Sequence, residues 1–214
     1  MKQTIVNTKE VEFFDILDTS QEISFELSHE MDKTIVFLLT PREPSKVTVS
    51  VNLKGRYAKV HIIGIVIPEK IVDINLYTTQ IHESPDSTSV CMVRSIMLND
   101  SILSYQGNIM IGARAKGSDA FQHHDSLILS RKARVKTRPV LEILQNAVSC
   151  RHGVTIHPIP EDLIWYAKTR LLSEKQIQRM YIEGCVKKTI EIIPDSHIRN
   201  LVYNRCRKII DSYD

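Results

Sequence analysis

The hydrophobic period of this chain changes once, near Pro160, and that change limits the folds open to it. Before it, short apolar stretches alternate with polar residues at a period of two, the mark of a strand buried on one face. Val47, Val49, Val51 and Leu53 alternate with Thr48, Ser50 and Asn52. Val72, Ile74 and Leu76 repeat the pattern, as do Val90 and Met92, Ile96 and Leu98, Ile109 and Ile111, Leu127 and Leu129, Leu141 and Ile143, and Val148 and Cys150. Val60 to Ile67 is more continuously apolar. Ile23 to Leu27 and Thr34 to Thr40 read as earlier strands of the same stack. Gly, Asn, Asp, Ser and Pro fill the gaps, as turns require.

After Pro160, Leu163, Ile164, Ala167 and Leu171 fall near a period of 3.6. Ser173-Glu174-Lys175-Gln176 is a capping box that opens a second helix, with Ile177, Met180, Tyr181, Gly184 and Cys185 on one face. Asp195 caps a third, striped by Ile198, Leu201, Val202, Cys206, Ile209 and Ile210. The expected organisation is a strand core over residues 1–158 and a helical domain over 159–214. Helices of this length need a surface to pack on; each other and the end of the sheet are the simplest, and a partner's groove is the alternative for one stripe.

Two architectures suit so many short strands: hairpins closed into a sandwich or barrel, and a coiled parallel β-helix. The sequence contains neither Asn-Gly nor Asp-Gly, the favoured hairpin dipeptides. Irregular strand spacing also suits coils, yet composition leaves both architectures open.

The formal charge of +3 is too small to imply a nucleic-acid partner. Lys132, Arg134, Lys136 and Arg138 recur every second residue and form a basic row on one strand face, without the interleaved aromatics of a single-strand platform. The apolar stretch Ile62 to Pro68 is far shorter than a membrane span. Met1-Lys2-Gln3-Thr4 does not open a secretion signal, so the expected compartment is the cytoplasm. There Cys91, Cys150, Cys185 and Cys206, which lack any CxxC spacing, are expected as reduced thiols. No Walker A motif, Gly-rich phosphate loop or Ser-centred nucleophile elbow is present, so neither nucleotide binding nor catalysis by this chain is expected.

Cys150-Arg151-His152 is the segment with chemical potential. Residues two apart on a strand share a face, roughly 6.5–7 Å apart. A thiolate and an imidazole so placed suit iron and supply half of a four-coordinate shell. On spacing alone, a core cysteine beside a surface histidine is the stronger reading. His123-His124 cannot chelate one ion from a regular strand, and with Asp125 it reads as a polar turn. His82-Glu83-Ser84-Pro85-Asp86 reads as a loop. A carbohydrate-acting β-helix would need paired carboxylates, but the acids here are scattered and Glu142 has no obvious partner.

From Tyr105 to Lys187 the chain resembles the SufB/SufD family, scaffold subunits of the SUF iron–sulfur assembly system. The resemblance is carried by Gln106-Gly107, Asp119-Ala120-Phe121-Gln122, Leu127-Ile128-Leu129-Ser130, Pro139-Val140-Leu141-Glu142-Ile143 and Cys150-Arg151-His152-Gly153-Val154-Thr155. Ile164-Trp165-Tyr166 through Arg170 resembles the family's first C-terminal helix. The resemblance implies a right-handed parallel β-helix followed by a C-terminal helical domain. It also implies pairing, as homodimer or heterodimer, with a SufB/SufD-type chain, and docking of a SufC-type ABC ATPase on the C-terminal helices. A transient iron–sulfur cluster would form at the subunit interface, with Cys150 and His152 as metal ligands and Glu142 as a third candidate cofactor contact. Cys-x-His-Gly follows the SufD form, and Ile143 stands where SufB carries a functional cysteine. The chain is shorter than typical members, so the expectation is a shortened SufD-like form. A bare interaction module without cluster chemistry is the alternative.

Overall fold

The computed structural model describes residues 4–7, 10–17 and 20–212, and side chains from residue 10 onward. Residues 1–3, on which the absence of a secretion signal was read, lie outside the described set. The strands are β1 (Thr4–Asn7), β2 (Val11–Ile16), β3 (Gln21–Leu27), β4 (Asp32–Leu39), β5 (Ser45–Leu53) and β6 (Lys59–Val66). They continue as β7 (Asp73–His82), β8 (Thr88–Met97), β9 (Ile102–Ile111), β10 (Asp119–Ile128), β11 (Arg134–Ile143) and β12 (Ser149–His157). Three helices follow: α1 (Glu161–Thr169), α2 (Glu174–Ile190) and α3 (Ser196–Ser212).

From β2 onward, successive strands alternate between two sheets, ordered β1-β2-β4-β6-β8-β10-β12 and β11-β9-β7-β5-β3. Every ladder is parallel except that of β1 on β2. A rung such as Ile35, Ile62, Cys91, Gln122 and His152 therefore runs straight up the seven-stranded sheet. This is a β-solenoid of about five turns. The hairpin alternative is excluded by the parallel register.

The two sheets differ in what covers them. β5, β7 and β9 bury alternate residues, with inward Val47, Val49, Val51, Ile74, Leu76 and Leu103, and leave the other face exposed or half-buried. β4 and β6 bury nearly continuous runs, Thr34 to Leu39 and Ile62 to Val66. A continuous apolar strand needs cover on both faces. That cover is the helical domain, which lies across the outer face of the seven-stranded sheet and not at the sheet's end. Val36, Leu38, Ile63, Ile65, Ile96 and Leu127 share one core with Ile182, Val186, Ile190, Ile198, Val202 and Cys206.

The helix caps form as the sequence indicates: Ser173 and Gln176 complete the capping box, and Asp195 Oδ1 accepts from the Ile198 amide at 2.9 Å. The α3 stripe is as read except at Leu201, which is half-buried, whereas the buried face of α2 is Ile177, Ile182, Val186, Thr189 and Ile190. Met180 and Gly184 lie off this face, because the β-branched residues at 182, 186 and 190 fit the sheet and turn the helix toward it. Ion pairs fix both helices. Arg205 of α3 reaches Asp15 at 3.3 Å and Glu69 at 2.8 Å. Burial pushes the Asp15 carboxyl up, against the lowering pull of Arg205. Arg94 of β8 pairs with Asp125 at 2.8 Å and donates to Thr189 of α2 at 2.7 Å.

The lumen becomes polar toward the later coils. His82 ends β7 inside the coil, not in a loop, with its ring nitrogens 2.8 Å from Ser87 Oγ and 2.7 Å from Ser89 Oγ. His123-His124-Asp125 lies within β10, not in a turn. His124 points inward, against Ser95 Oγ at 3.0 Å and Thr137 Oγ1 at 2.8 Å. Thr78 and Tyr105 hydroxyls pair at 2.7 Å beside it. The basic row is shorter than the spacing indicates: Lys132 sits in the turn before β11 and faces Asp100 at 3.6 Å.

Burial pushes His82 and His124 down to about 4, so both are neutral in the folded protein. In the unfolded chain they titrate at the ordinary value near 6.5. Between those values the unfolded chain binds more protons, so stability present above pH 6.5 is lost as the pH falls toward 4, by about 3 kcal/mol for each ring at most. Tm should fall across that window and fall less steeply in His124→Gln. A variant whose pH profile parallels the parent's would remove His124 as a source of the acid sensitivity.

Candidate functional site

The solenoid ends differently at its two ends. β2 is covered by the antiparallel β1, while no described strand pairs beyond β11 or β12. The register assigns each side chain of this last coil to a face. Cys150, His152, Val154 and Ile156 stand over Ala120, Gln122, His124 and Ser126, all of them buried inward residues. Val135, Thr137, Pro139, Leu141 and Ile143 stand over Leu103, Tyr105, Gly107, Ile109 and Ile111. The last coil thus carries a lumen-facing set with no coil above it. Leu141, Ile143, Val154 and Ile156 are exposed, as is Leu144 beyond them.

Cys150 and His152 therefore share one face, two residues apart on β12, on an open rim of aliphatic side chains. Cys150 is half-buried against Ile109, Ile111, Ala115 and Ala120, and His152 is exposed. Glu142 is not brought to them: it stands over Met110, on the outer face of the five-stranded sheet. Arg151 also points outward, its guanidinium 5.5 Å from the Phe121 ring centre and 3.5 Å from Asp119. His123 lies outward across Gly153, where a Cβ would stand 2.7 Å from the imidazole Cδ2. The missing side chain at Gly153 is thus what makes room for the His123 ring.

A thiolate and an imidazole on one rim supply two donors for a soft or borderline metal. Among the described residues no group of three or more His, Cys, Asp or Glu side chains is placed to hold a metal ion. A complete shell would draw further donors from outside this set. Burial, and then the charge of Asp119, push the Cys150 thiol up. A metal bound there would displace its proton, with an affinity that rises with pH.

A second surface lies on the helices. α1 buries none of its residues; Trp165 is 76% and Leu171 94% exposed. Leu163, Tyr166, Ala167, Leu172, Ile177 and Tyr181 help line an apolar groove of about 320 Å³. Among the described residues no helix is long and apolar enough to cross a membrane.

Sequence reasoning missed one cluster. Arg94, Asp125, His157, Tyr181, Cys185 and Lys188 line a polar cleft of about 390 Å³ between α2 and the seven-stranded sheet. Asp125 bridges Arg94 and His157, the latter at 3.1 Å. These residues come from three strands and a helix, and nothing in their spacing connects them.

The four thiols are free and fall into two classes. Burial pushes Cys91 up to about 11 and Cys206 up to about 12, and both are sealed in the core. Cys150 and Cys185 are half-buried and raised less far, by burial first. Iodoacetamide acts on the thiolate. Native protein should be alkylated at Cys150 and Cys185, at rates still climbing at pH 9, with Cys91 and Cys206 reacting only after denaturation. Peptide mapping reads the sites, and early labelling of Cys206 would contradict the packing of α3.

Residues 40–185 match the family model of the SUF system FeS cluster assembly SufBD core domain. An iron–sulfur cluster assembly SufBD family protein of Staphylococcus aureus (strain USA300) is 26% identical over 114 residues, 53% of this chain and 24% of that protein. The iron–sulfur cluster assembly protein SufB of Bacillus subtilis (strain 168) is 25% identical over 142 residues, 66% of this chain and 30% of that protein. The matches thus span less than a third of these relatives' lengths. The matched region runs from the end of β4 through Cys185 of α2 and takes in the whole open rim. The chain belongs to the SufBD core family of the SUF iron–sulfur cluster assembly system.

Proposed function

We propose that this chain is a non-catalytic, SufD-like assembly subunit of the cytoplasm, which holds a nascent iron–sulfur cluster as cargo between its open rim and a second SufB/SufD-type chain. The observation that carries the reading is the placement of Cys150 and His152 in the lumen-facing register of a coil with nothing above it. An uncovered parallel coil presents unpaired backbone groups and apolar side chains, a template for another chain's strands. A partner of the same architecture, as a second copy or a SufB/SufD-type relative, would cover that rim and add donors to the thiol and imidazole. The SufD-like assignment rests on His152-Gly153 and on Ile143, which stands where SufB carries its functional cysteine.

The apolar groove between α1 and α2, together with the exposed Trp165 of α1, suits docking of a SufC-type ABC ATPase. α2 is packed on the seven-stranded sheet and clasped to Arg94 through Thr189. ATP-driven closure of two docked ATPases would then move two solenoids as bodies and open the seam to iron and sulfide.

Anaerobic reconstitution with iron and sulfide should give charge-transfer absorbance that falls in Cys150→Ala and in His152→Ala. Full absorbance in both variants would remove these residues from the reading. Val154→Glu buries an unpaired charge in the seam and should weaken association of the rims at least about tenfold, as read by light scattering across a dilution series. Trp165→Ala should lose capture of the ATPase and keep the absorbance. Capture that succeeds while reconstitution fails would leave an interaction module without cluster chemistry.

A further inference from the structure

Gln122 lies immediately below His152 on the neighbouring strand, in the same lumen-facing row. Its side chain is 2% exposed, and its Oε1 is buried without a hydrogen-bond partner. Buried acceptors are almost always satisfied, so an orphan asks for a donor. Room for this carboxamide is built into the opposite sheet. Gly107 faces it across the lumen, and a Cβ there would stand 1.8 Å from Gln122 Nε2. Any other residue at 107 would displace the group from beneath the rim.

The donor that this acceptor lacks is one strand away. Adjacent strands are about 4.8 Å apart and matched side chains project in the same direction. Among the described residues the His152 ring has no hydrogen-bond partner in the open rim, and it can turn down onto Gln122 Oε1. A neutral imidazole has one donor and one acceptor nitrogen, and the bond made by the first decides which nitrogen is left to bind a metal. Metal-bound histidines almost always donate their second N–H to such an acceptor. We propose that Gln122 is the positioning residue of His152: its Oε1 accepts the ring N–H, fixes the tautomer and aims the other nitrogen into the seam. Gln80, one layer deeper, also has an orphaned carboxamide, but it stands beneath Ile109 and has no ligand above it.

This inference rests on the reading of His152 as a ligand, and its test separates the two. Co²⁺ alone, titrated anaerobically into the full chain, reports thiolate and imidazole ligation through its absorption bands. Gln122→Met keeps length and removes the acceptor; Gln122→Glu keeps an acceptor oxygen. Gln122→Met should raise the Co²⁺ dissociation constant about 10- to 100-fold, with Tm unchanged or higher because an orphaned polar group is lost. Gln122→Glu should restore much of the affinity. In ¹⁵N-resolved spectra of the metal-free full chain, the His152 ring should favour one tautomer in the parent and a mixture in Gln122→Met. If His152→Ala loses Co²⁺ while Gln122→Met binds it as tightly as the parent, Gln122 has no positioning role. If His152→Ala binds Co²⁺ as the parent does, the ligand reading itself fails. A fall in Tm for Gln122→Met, with affinity lost equally in Gln122→Glu, would mark a packing residue and overturn the proposal.

Discussion

A parallel strand in a solenoid satisfies its backbone only by lying on another coil. Each N–H and C=O along β4 to β10 finds its partner in the coil above or below, in unbroken register. Everything distinctive about the last coil follows from that rule. β11 and β12 are paired on one side only among the described residues, so the amides and carbonyls on their other edge, and their lumen-facing side chains, are left for something else. In an isolated strand, a cysteine and a histidine two residues apart carry little meaning. At the end of a stacked coil, the same pair is displayed on a surface whose backbone also needs a neighbour.

The second constraint is the unequal covering of the two sheets. The five-stranded sheet exposes an outer face of Ser104, Gln106, Asn108, Thr48 and Thr79. The seven-stranded sheet has an aliphatic outer face that water would not tolerate, and α2 and α3 cover it through a shared core. Arg205 and the Arg94–Asp125–His157 cluster then set the helices' position with polar contacts at the border of that core. α1, with no buried residue, is the exception: Trp165 and Tyr166 stay exposed on it.

Much of this was legible in the chain. The alternation at Val47 to Leu53 and the unbroken run near Ile62 to Ile67 distinguish a half-covered strand from a doubly covered one, although only the structure says what the second cover is. Cys150 and His152 could be singled out because a period of two puts them on one face. Their exposure could not, since it depends on which coil is last. The errors share a cause. In the later coils the lumen is lined by Thr78, Gln80, His82, Ser89, Gln122 and His124, so inward positions look like turn residues and the hydrophobic alternation fades. His82 and His123-His124-Asp125 were misplaced for that reason. The face of α2 was misjudged because Met180 and Gly184 fall at a plausible helical spacing, and only contact with the sheet selects Ile182 and Val186 instead.

Coils that touch only their neighbours make a solenoid behave as a one-dimensional chain, free to fray from either end. Here α2 and α3 cross that grain. Their shared core takes in Val11 and Phe13 near the start of the stack and Leu127 near its finish. The helices therefore act as a splint: they tie the stability of distant rungs together and turn a stack of separable units into one cooperative body. A torque applied to them is delivered along the full length of the sheet at once, as through the handle of a rigid tool.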